Sequence, residues 1–152
     1  MPHAQLRLVG TGPELPTLKK FVQDHHMNNV QFYNFVSPQE KNELLQTSWV
    51  FVTPSSLEGW GITVIEANAC NLPAIAFDVP GLRESIQHNR TGYLARDQAE
   101  MQAMILTLLK DSKLRHALGK NAHQWSTNFT WKKTAQKTMK ILQELHHEHA
   151  KG

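Results

Sequence analysis

A chain of 152 residues with 40% hydrophobic residues and eight glycines is long enough to bury one real core, and it has the makeup of a soluble globular domain. Its formal charge of +3 comes from scattered Lys and Arg with no run of five or six, which favours a solvated surface over nucleic-acid binding. One cysteine, Cys70, excludes an internal disulfide and suits a reducing compartment. No apolar stretch nears the ~18 residues of a membrane span, and the opening residues do not read as a signal peptide.

In chain order, Gln5 to Val9 reads as a strand running into the loop GTGPE, where Gly10 and Gly12 permit a sharp turn. Pro13 then suits an early helix position, and Glu14 to about His26 reads as a helix with Leu15, Leu18, Phe21 and Val22 on its apolar face. GTGPEL lacks the third glycine and the later acid of a dinucleotide fingerprint. Val30 to Phe35 is the second strand. Ser37 as N-cap, Pro38 at the first position and Glu40 closing a capping box predict a helix to about Gln46, with Leu44 and Leu45 inward.

Trp49 to Val52 is continuously apolar, as a central strand covered on both faces would be. Pro73 to Phe77 reads as a further buried strand, PGLRESIQ as a short helix and Gly92 to Ala95 as the last strand. Strands alternating with helices predict an α/β fold with a parallel sheet. The last third is helical. Asp97 and Glu100 start a helix striped with Met101, Met104, Ile105 and Leu108. A second, from about Ser112 to Trp125, turns Leu114, Ala117, Leu118 and Ala122 inward. Thr130 caps a third, with Trp131, Ala135, Met139 and Leu142 as its inner face, and the ending ELHHEHAKG is expected to fray. The Met and Trp residues of this part read as core or interface anchors.

Other chemistry finds little support. His146, His147 and His149 read as a tail rather than a metal site, and His25–His26 as partners of a helix dipole. Asn89-Arg90-Thr91 and Asn128-Phe129-Thr130 match glycosylation sequons by letter alone. No Gly-x-Ser-x-Gly elbow is present, and Cys70 reads as a small buried hydrophobe.

The informative stretch is WVFVTPSSLEGWGITVIE, residues 49–66. An apolar strand, a loop with two glycines and a helix start in succession point backbone N–H groups and a positive dipole end at an anion. Glu58 and Glu66 bracket the helix start with seven residues between them. Helical side chains tilt toward the N-terminus, so Glu66 leans back along the face shared with Ile62 and Thr63. It sits roughly 6 Å beyond the first turn, about the span from a diphosphate to ribose hydroxyls. Carboxylates accept hydrogen bonds from vicinal hydroxyls, so a sugar–diphosphate–ribose ligand fits this layout.

EGWGITVIE followed by ANACNLPAIAF and PGLRESI resembles the donor-binding half of GT-B, family 4 retaining glycosyltransferases. Agreement runs from the strand ending at Val9 to Trp131, with Trp60 in place of the usual Phe and Asn34 and Asn71 at positions often held by Gly. Asn tolerates positive φ best among non-glycine residues, so both swaps are compatible with an unchanged backbone. The resemblance implies a Rossmann-like three-layer α/β domain, one half of a GT-B fold, with a mostly parallel sheet of about five strands and a helical C-terminal part. It implies a single donor-binding domain over 1–152, without the N-terminal acceptor domain, the first βα unit or the family's basic Arg–Lys pair.

The implied activity is transfer of a hexose from a nucleoside-diphosphate sugar (UDP or GDP) to a glycan or lipid, as in polysaccharide biosynthesis, with no metal cofactor. Glu58 is the implied catalytic residue and contacts the donor sugar, with Gly59, Trp60 and Gly61 around it. Ile62 and Thr63 offer N–H groups to the β-phosphate and Glu66 accepts from the ribose. Gly12 lines the cleft, and Gln31 to Tyr33 lie near the base. The implied partners are the sugar nucleotide and an acceptor-binding domain in cis or trans, but no nucleic acid. The implied place is the cytoplasm, with room for peripheral association of the full enzyme at the inner membrane face. The chain alone is then expected to be inactive. The rival readings are a non-catalytic nucleotide-binding or interaction module and, less well matched, a GT-B-like sugar-nucleotide epimerase.

Overall fold

Why each element starts where it does is written mostly in its first residues. The computed structural model describes residues 4–149, without the side chains of 145 and 147–149. It divides into two compact units, Met1–Thr47 and Ser48–Gly152, each considered by itself.

The first unit holds β1 (Leu6–Val9), α1 (Leu15–Asp24), β2 (Val30–Tyr33) and α2 (Pro38–Gln46). The strands pair in parallel, Leu6 opposite Val30 through Val9 opposite Tyr33. Pro13 falls in the turn before α1, and Pro16 occupies the first helical turn instead. No α1 residue is buried, and Leu18 and Phe21 are about half exposed. At its end, His25 Nδ1 lies 2.8 Å from the Phe21 carbonyl and the imidazole stacks on the Phe21 ring, which suits the dipole reading.

The capping box of α2 forms as read. The Glu40 amide donates to Ser37 Oγ at 3.2 Å and the Ser37 amide to Glu40 Oε2 at 2.7 Å. That backbone bond, more than the Ser37 hydroxyl, holds the Glu40 carboxyl below its ordinary range. Arg7 Nη1 donates to Thr47 Oγ1 at 2.6 Å and so ties β1 to the end of α2.

The second unit runs β3 (Phe51–Thr53), α3 (Ile62–Ala69), β4 (Ala74–Phe77), α4 (Pro80–Ser85), β5 (Gly92–Ala95), α5 (Gln98–Lys110), α6 (Ser112–Ser126) and α7 (Trp131–His149). Its sheet is parallel in the order β3-β4-β5. The five strands expected in one sheet are thus seen as parallel sheets of two and three. The expected central place of the Trp49–Val52 run also needs correction. β3 is an edge of its sheet, and β4 is central. The run misled because its hydrophobicity is not all burial: Trp49 is 56% exposed, with the Arg115 guanidinium 4.4 Å above its indole.

Strand periodicity sends alternate β4 residues to opposite faces, and both faces are covered. Ala74 and Ala76 pack with Val64 of α3 and Leu82 and Ile86 of the α4 region. Ile75 packs with Ala95, with Met101 and Leu108 of α5 and with Leu118 of α6. Helix, sheet and helix make three layers.

The Met101–Leu108 stripe is buried or packed on the core as expected. In α6, Leu118 and Ala122 are buried, but Ala117 is exposed and Gly119 is buried in its stead. A Cβ on Gly119 would run into the Asn71 carbonyl, so its absence lets α6 close on the end of α3. Thr130 does cap α7, its Oγ1 accepting from the Lys133 amide at 3.2 Å. The inner face assigned to α7 is not an inner one: Trp131 is 88% exposed, and Met139 and Leu142 are 56% exposed. The stripe is real, but no described element covers it. Helix continues to His149, where fraying was expected, and 150–152 of that ending lie outside the described residues. So do the side chains of His147 and His149 in the histidine tail. Among the described residues no helix is long and apolar enough to cross a membrane.

Candidate functional site

Helix α3 begins without a side-chain cap. Its N-cap is Gly61 at φ 78°, a left-handed conformation that costs any L side chain energy. A Cβ there would also stand 2.7 Å from Leu82 Cδ2. By contrast, α2, α5 and α6 are capped by Ser37, Asp97 and Asp111, each accepting from a first-turn amide. At α3 the Val64 amide finds the Gly61 carbonyl at 3.0 Å, while the cap has no side chain to offer Ile62 and Thr63, both exposed. The positive end of the helix is therefore presented bare.

Two carboxylates flank this end. Glu66 is half-buried one turn in, on the Ile62–Thr63 face. Its charge adds to burial in pushing the Cys70 thiol above its ordinary pKa, so Cys70, itself half-buried, is a poor nucleophile. Glu58 is half-buried in the loop, and among the described residues its carboxylate has no hydrogen-bond or ion-pair partner. Of the residues the sequence singles out, Glu58, Gly59, Trp60 and Gly61 lie in the loop and Ile62, Thr63 and Glu66 in α3. Gly12, Gln31 and Tyr33 form a separate group in the first unit, where Tyr33 Oη donates to Gln31 Oε1 at 3.0 Å. Gly12 is exposed, with open space where a Cβ would stand.

What the sequence did not flag is the support of the loop. Gly81, second residue of α4, lies so close that a Cβ would overlap the Glu58 carbonyl oxygen and stand 2.6 Å from that of Gly59. On another side, Trp60 meets Phe129 edge to face at 4.8 Å, and Phe129 meets Trp125 likewise at 5.0 Å. Trp125 Nε1 donates to the Ser85 carbonyl of α4 at 3.0 Å. In the sequence Phe129 stands out only as part of a sequon, although Trp125, Phe129 and Trp131 form an aromatic-rich stretch that could have marked it.

The far end of α3 explains one of the two Asn substitutions. Asn71 has φ 59°, and the Leu72 and Asn71 amides donate to the Ala67 and Asn68 carbonyls at 3.1 and 3.0 Å. This is a Schellman ending with Asn in the glycine position. Asn34 has no positive φ, so Gly is not needed there. Asn68 is fully buried with both amide atoms unpaired.

Beside the loop, Ser56, Asp78, Arg96 and Asp97 line a cleft of about 290 Å³ at the carboxyl ends of β4 and β5, where parallel α/β sheets usually take ligands. Asp78 and Arg96 are each in an ion pair, and Asp97 caps α5. Arg83 holds the Asp78 carboxyl low through a 2.6 Å contact, and Arg96 does the same for Glu100 at 3.2 Å.

The family described as Glycosyl transferases group 1 matches residues 1–125. The N-acetyl-alpha-D-glucosaminyl L-malate synthase of Bacillus anthracis is 36% identical over 124 residues, 80% of this chain and 32% of that protein. Among solved structures, sucrose-phosphate synthase from Thermosynechococcus elongatus superposes with a TM-score of 0.85 at 27% identity, covering 97% of this chain and 40% of the other. The pneumococcal O-GlcNAc transferase GtfA, solved in complex with UDP and GlcNAc, gives 0.82 at 26% identity over 96% of this chain and 30% of the other. The chain thus spans two fifths or less of each of these proteins.

Proposed function

The chain belongs to the family Glycosyl transferases group 1, and from that premise we propose that it is the nucleotide-sugar-binding half of a retaining hexosyltransferase. The observation that carries this reading is the bare amino end of α3 set between Glu58 and Glu66. The Ile62 and Thr63 amides take the β-phosphate, using unsatisfied donors and the helix dipole. Glu66 accepts from the ribose hydroxyls. Glu58, with the amides around Trp60 and Gly61, holds the hydroxyls of the donor sugar next to the reacting carbon. Helix amides do the neutralising, so no divalent metal is required, and the donor is a uridine or guanosine diphosphate sugar.

The acceptor, a glycan or lipid, is held by an N-terminal domain in cis or trans, in the cytoplasm, with room for peripheral association of the full enzyme at the inner membrane face. Positioning a hydroxyl about 3 Å from the anomeric carbon contributes most of the rate, so this chain alone binds donor without transferring sugar.

Calorimetry with uridine, guanosine and adenosine diphosphates tests the site. One of the first two should bind without metal, and Glu66→Ala should weaken it by about 1–3 kcal/mol through unmet ribose hydroxyls. No binding at millimolar ligand, or equal affinity for wild type and Glu66→Ala, defeats the reading. Turnover by the isolated chain that disappears in Glu58→Ala would show instead that the site is complete as it stands.

A further inference from the structure

The loop that carries Glu58 is short of internal support. Gly59 and Gly61 bring no side chains, and Gly59 faces open space. Trp60 is the one large side chain between the two glycines, and its ring meets that of Phe129. Phe129 meets two indoles, that of Trp60 at 4.8 Å and that of Trp125 at 5.0 Å, in a T-shaped arrangement with each. Trp125 is fixed in turn by its N–H bond to the Ser85 carbonyl. Ser85 ends the helix whose Gly81 abuts the Glu58 and Gly59 carbonyls of the loop. The contacts close a ring: loop 58–61, Trp60, Phe129, Trp125, Ser85, α4, Gly81 and the loop again.

We propose that Phe129 is a positioning residue for the donor sugar, acting through Trp60 on the backbone and carboxylate at Glu58. The inference rests on the sugar-binding role given to that loop above. Edge-to-face pairs fix ring orientation as well as separation, so removing the Phe129 ring frees Trp60 and breaks its link to Trp125. The amides of Ile62 and Thr63 and the carboxylate of Glu66 belong to α3, which is anchored by its own buried face, Val64, Ile65, Ala67 and Asn68. Loss of Phe129 therefore separates sugar recognition from nucleotide recognition. Phe129 also lies one residue before Thr130, the cap of α7, so the placement of that helix is transmitted to the loop through the same ring.

The test compares wild type, Phe129→Ala, Phe129→Leu and Phe129→Tyr in the full 152-residue chain. Titration with UDP and GDP, and with UDP-glucose, UDP-N-acetylglucosamine and GDP-mannose, gives the ratio of sugar-nucleotide to nucleoside-diphosphate Kd. Phe129→Ala should raise that ratio about tenfold while leaving the bare diphosphate within about twofold, and Phe129→Tyr should restore it. Phe129→Leu, which keeps apolar volume, should fall between and covers the case in which Ala does not fold. Hydrogen exchange supplies a readout independent of ligand: the Gly59–Gly61 amides should exchange about tenfold faster in Phe129→Ala, with those of α5 unchanged. Equal weakening of both ligand classes, or faster exchange throughout, would make Phe129 merely structural and overturn the proposal. Unchanged ratios and unchanged loop exchange would do so as well. Failure of wild type to bind any of the five ligands removes the site reading itself, and the exchange comparison still decides whether Phe129 holds the loop.

Discussion

Helices α3 and α7 invert each other. α3 has eight residues, of which Val64, Ile65, Ala67 and Asn68 are buried, and it begins on a glycine. α7 has nineteen, begins under a threonine cap and leaves Trp131, Met139, Ile141 and Leu142 more than half exposed. An isolated eight-residue helix is marginal in water, whereas nineteen residues come close to sustaining themselves. So α3 is helical because the core holds it, whereas α7, with much of its apolar stripe exposed, draws less on packing. The candidate site sits on the first kind. A helix held by packing cannot shift without repacking its neighbours, which keeps its amino end in place.

The sharpest test pairs one apolar deletion on each helix. Ile65→Ala should lower stability by about 2–5 kcal/mol through an unfilled cavity, while Leu142→Ala should stay within about 0.5 kcal/mol. Chemical denaturation of both variants decides it, and similar losses would break the contrast. The next effect has the opposite sign. Asn68 buries an amide with neither atom paired, a condition that typically costs about 1–3 kcal/mol, so Asn68→Leu should raise the thermal midpoint. A fall would mean that Asn68 has a partner in solution.

Third, Gly61→Ala should lose about 1–3 kcal/mol to its left-handed backbone, with the Leu82 contact adding to it, and Gly59→Ala almost nothing. Equal midpoints would show the α3 start to be adaptable. The smallest effect is acid. Glu40, Asp78 and Glu100 have lowered pKa values, each through hydrogen bonds from a close partner. Their contribution is full above the ordinary carboxylate range and disappears as pH falls through their lower folded values. All three are solvent-screened, so stability should sag gently below about pH 4 rather than collapse.

Local chemistry made most of the fold legible. Ser37 with Glu40, Asp97 with Glu100 and Thr130 announce helix starts because cap and amide are neighbours in sequence. The start of α3 was legible for the same reason: spacing along little more than one turn of helix sets Ile62, Thr63 and Glu66 on one face. What escaped was long-range. Nothing local tells that Gly81 abuts Glu58, that Phe129 meets Trp60, or that β4 rather than β3 is the middle strand of its sheet. The apolar period of α7 was read correctly as a stripe and wrongly as an inner face, because periodicity reports a pattern and not its cover. Ala117 went astray similarly, since a small residue fits either side of a helix.

The contact of Gly81 with the loop also bears on how fast a ligand is caught. A binding loop that must first find its shape divides its encounters between competent and incompetent forms, and association slows by that fraction. Here the carbonyls of Glu58 and Gly59 rest against a backbone with no side chain to yield, in a helix start fixed by Pro80. The loop's ligand-free shape is then already its fixed one, and on the proposed reading donor capture by this segment should proceed at a rate set by diffusion and orientation, in a single exponential phase linear in ligand concentration.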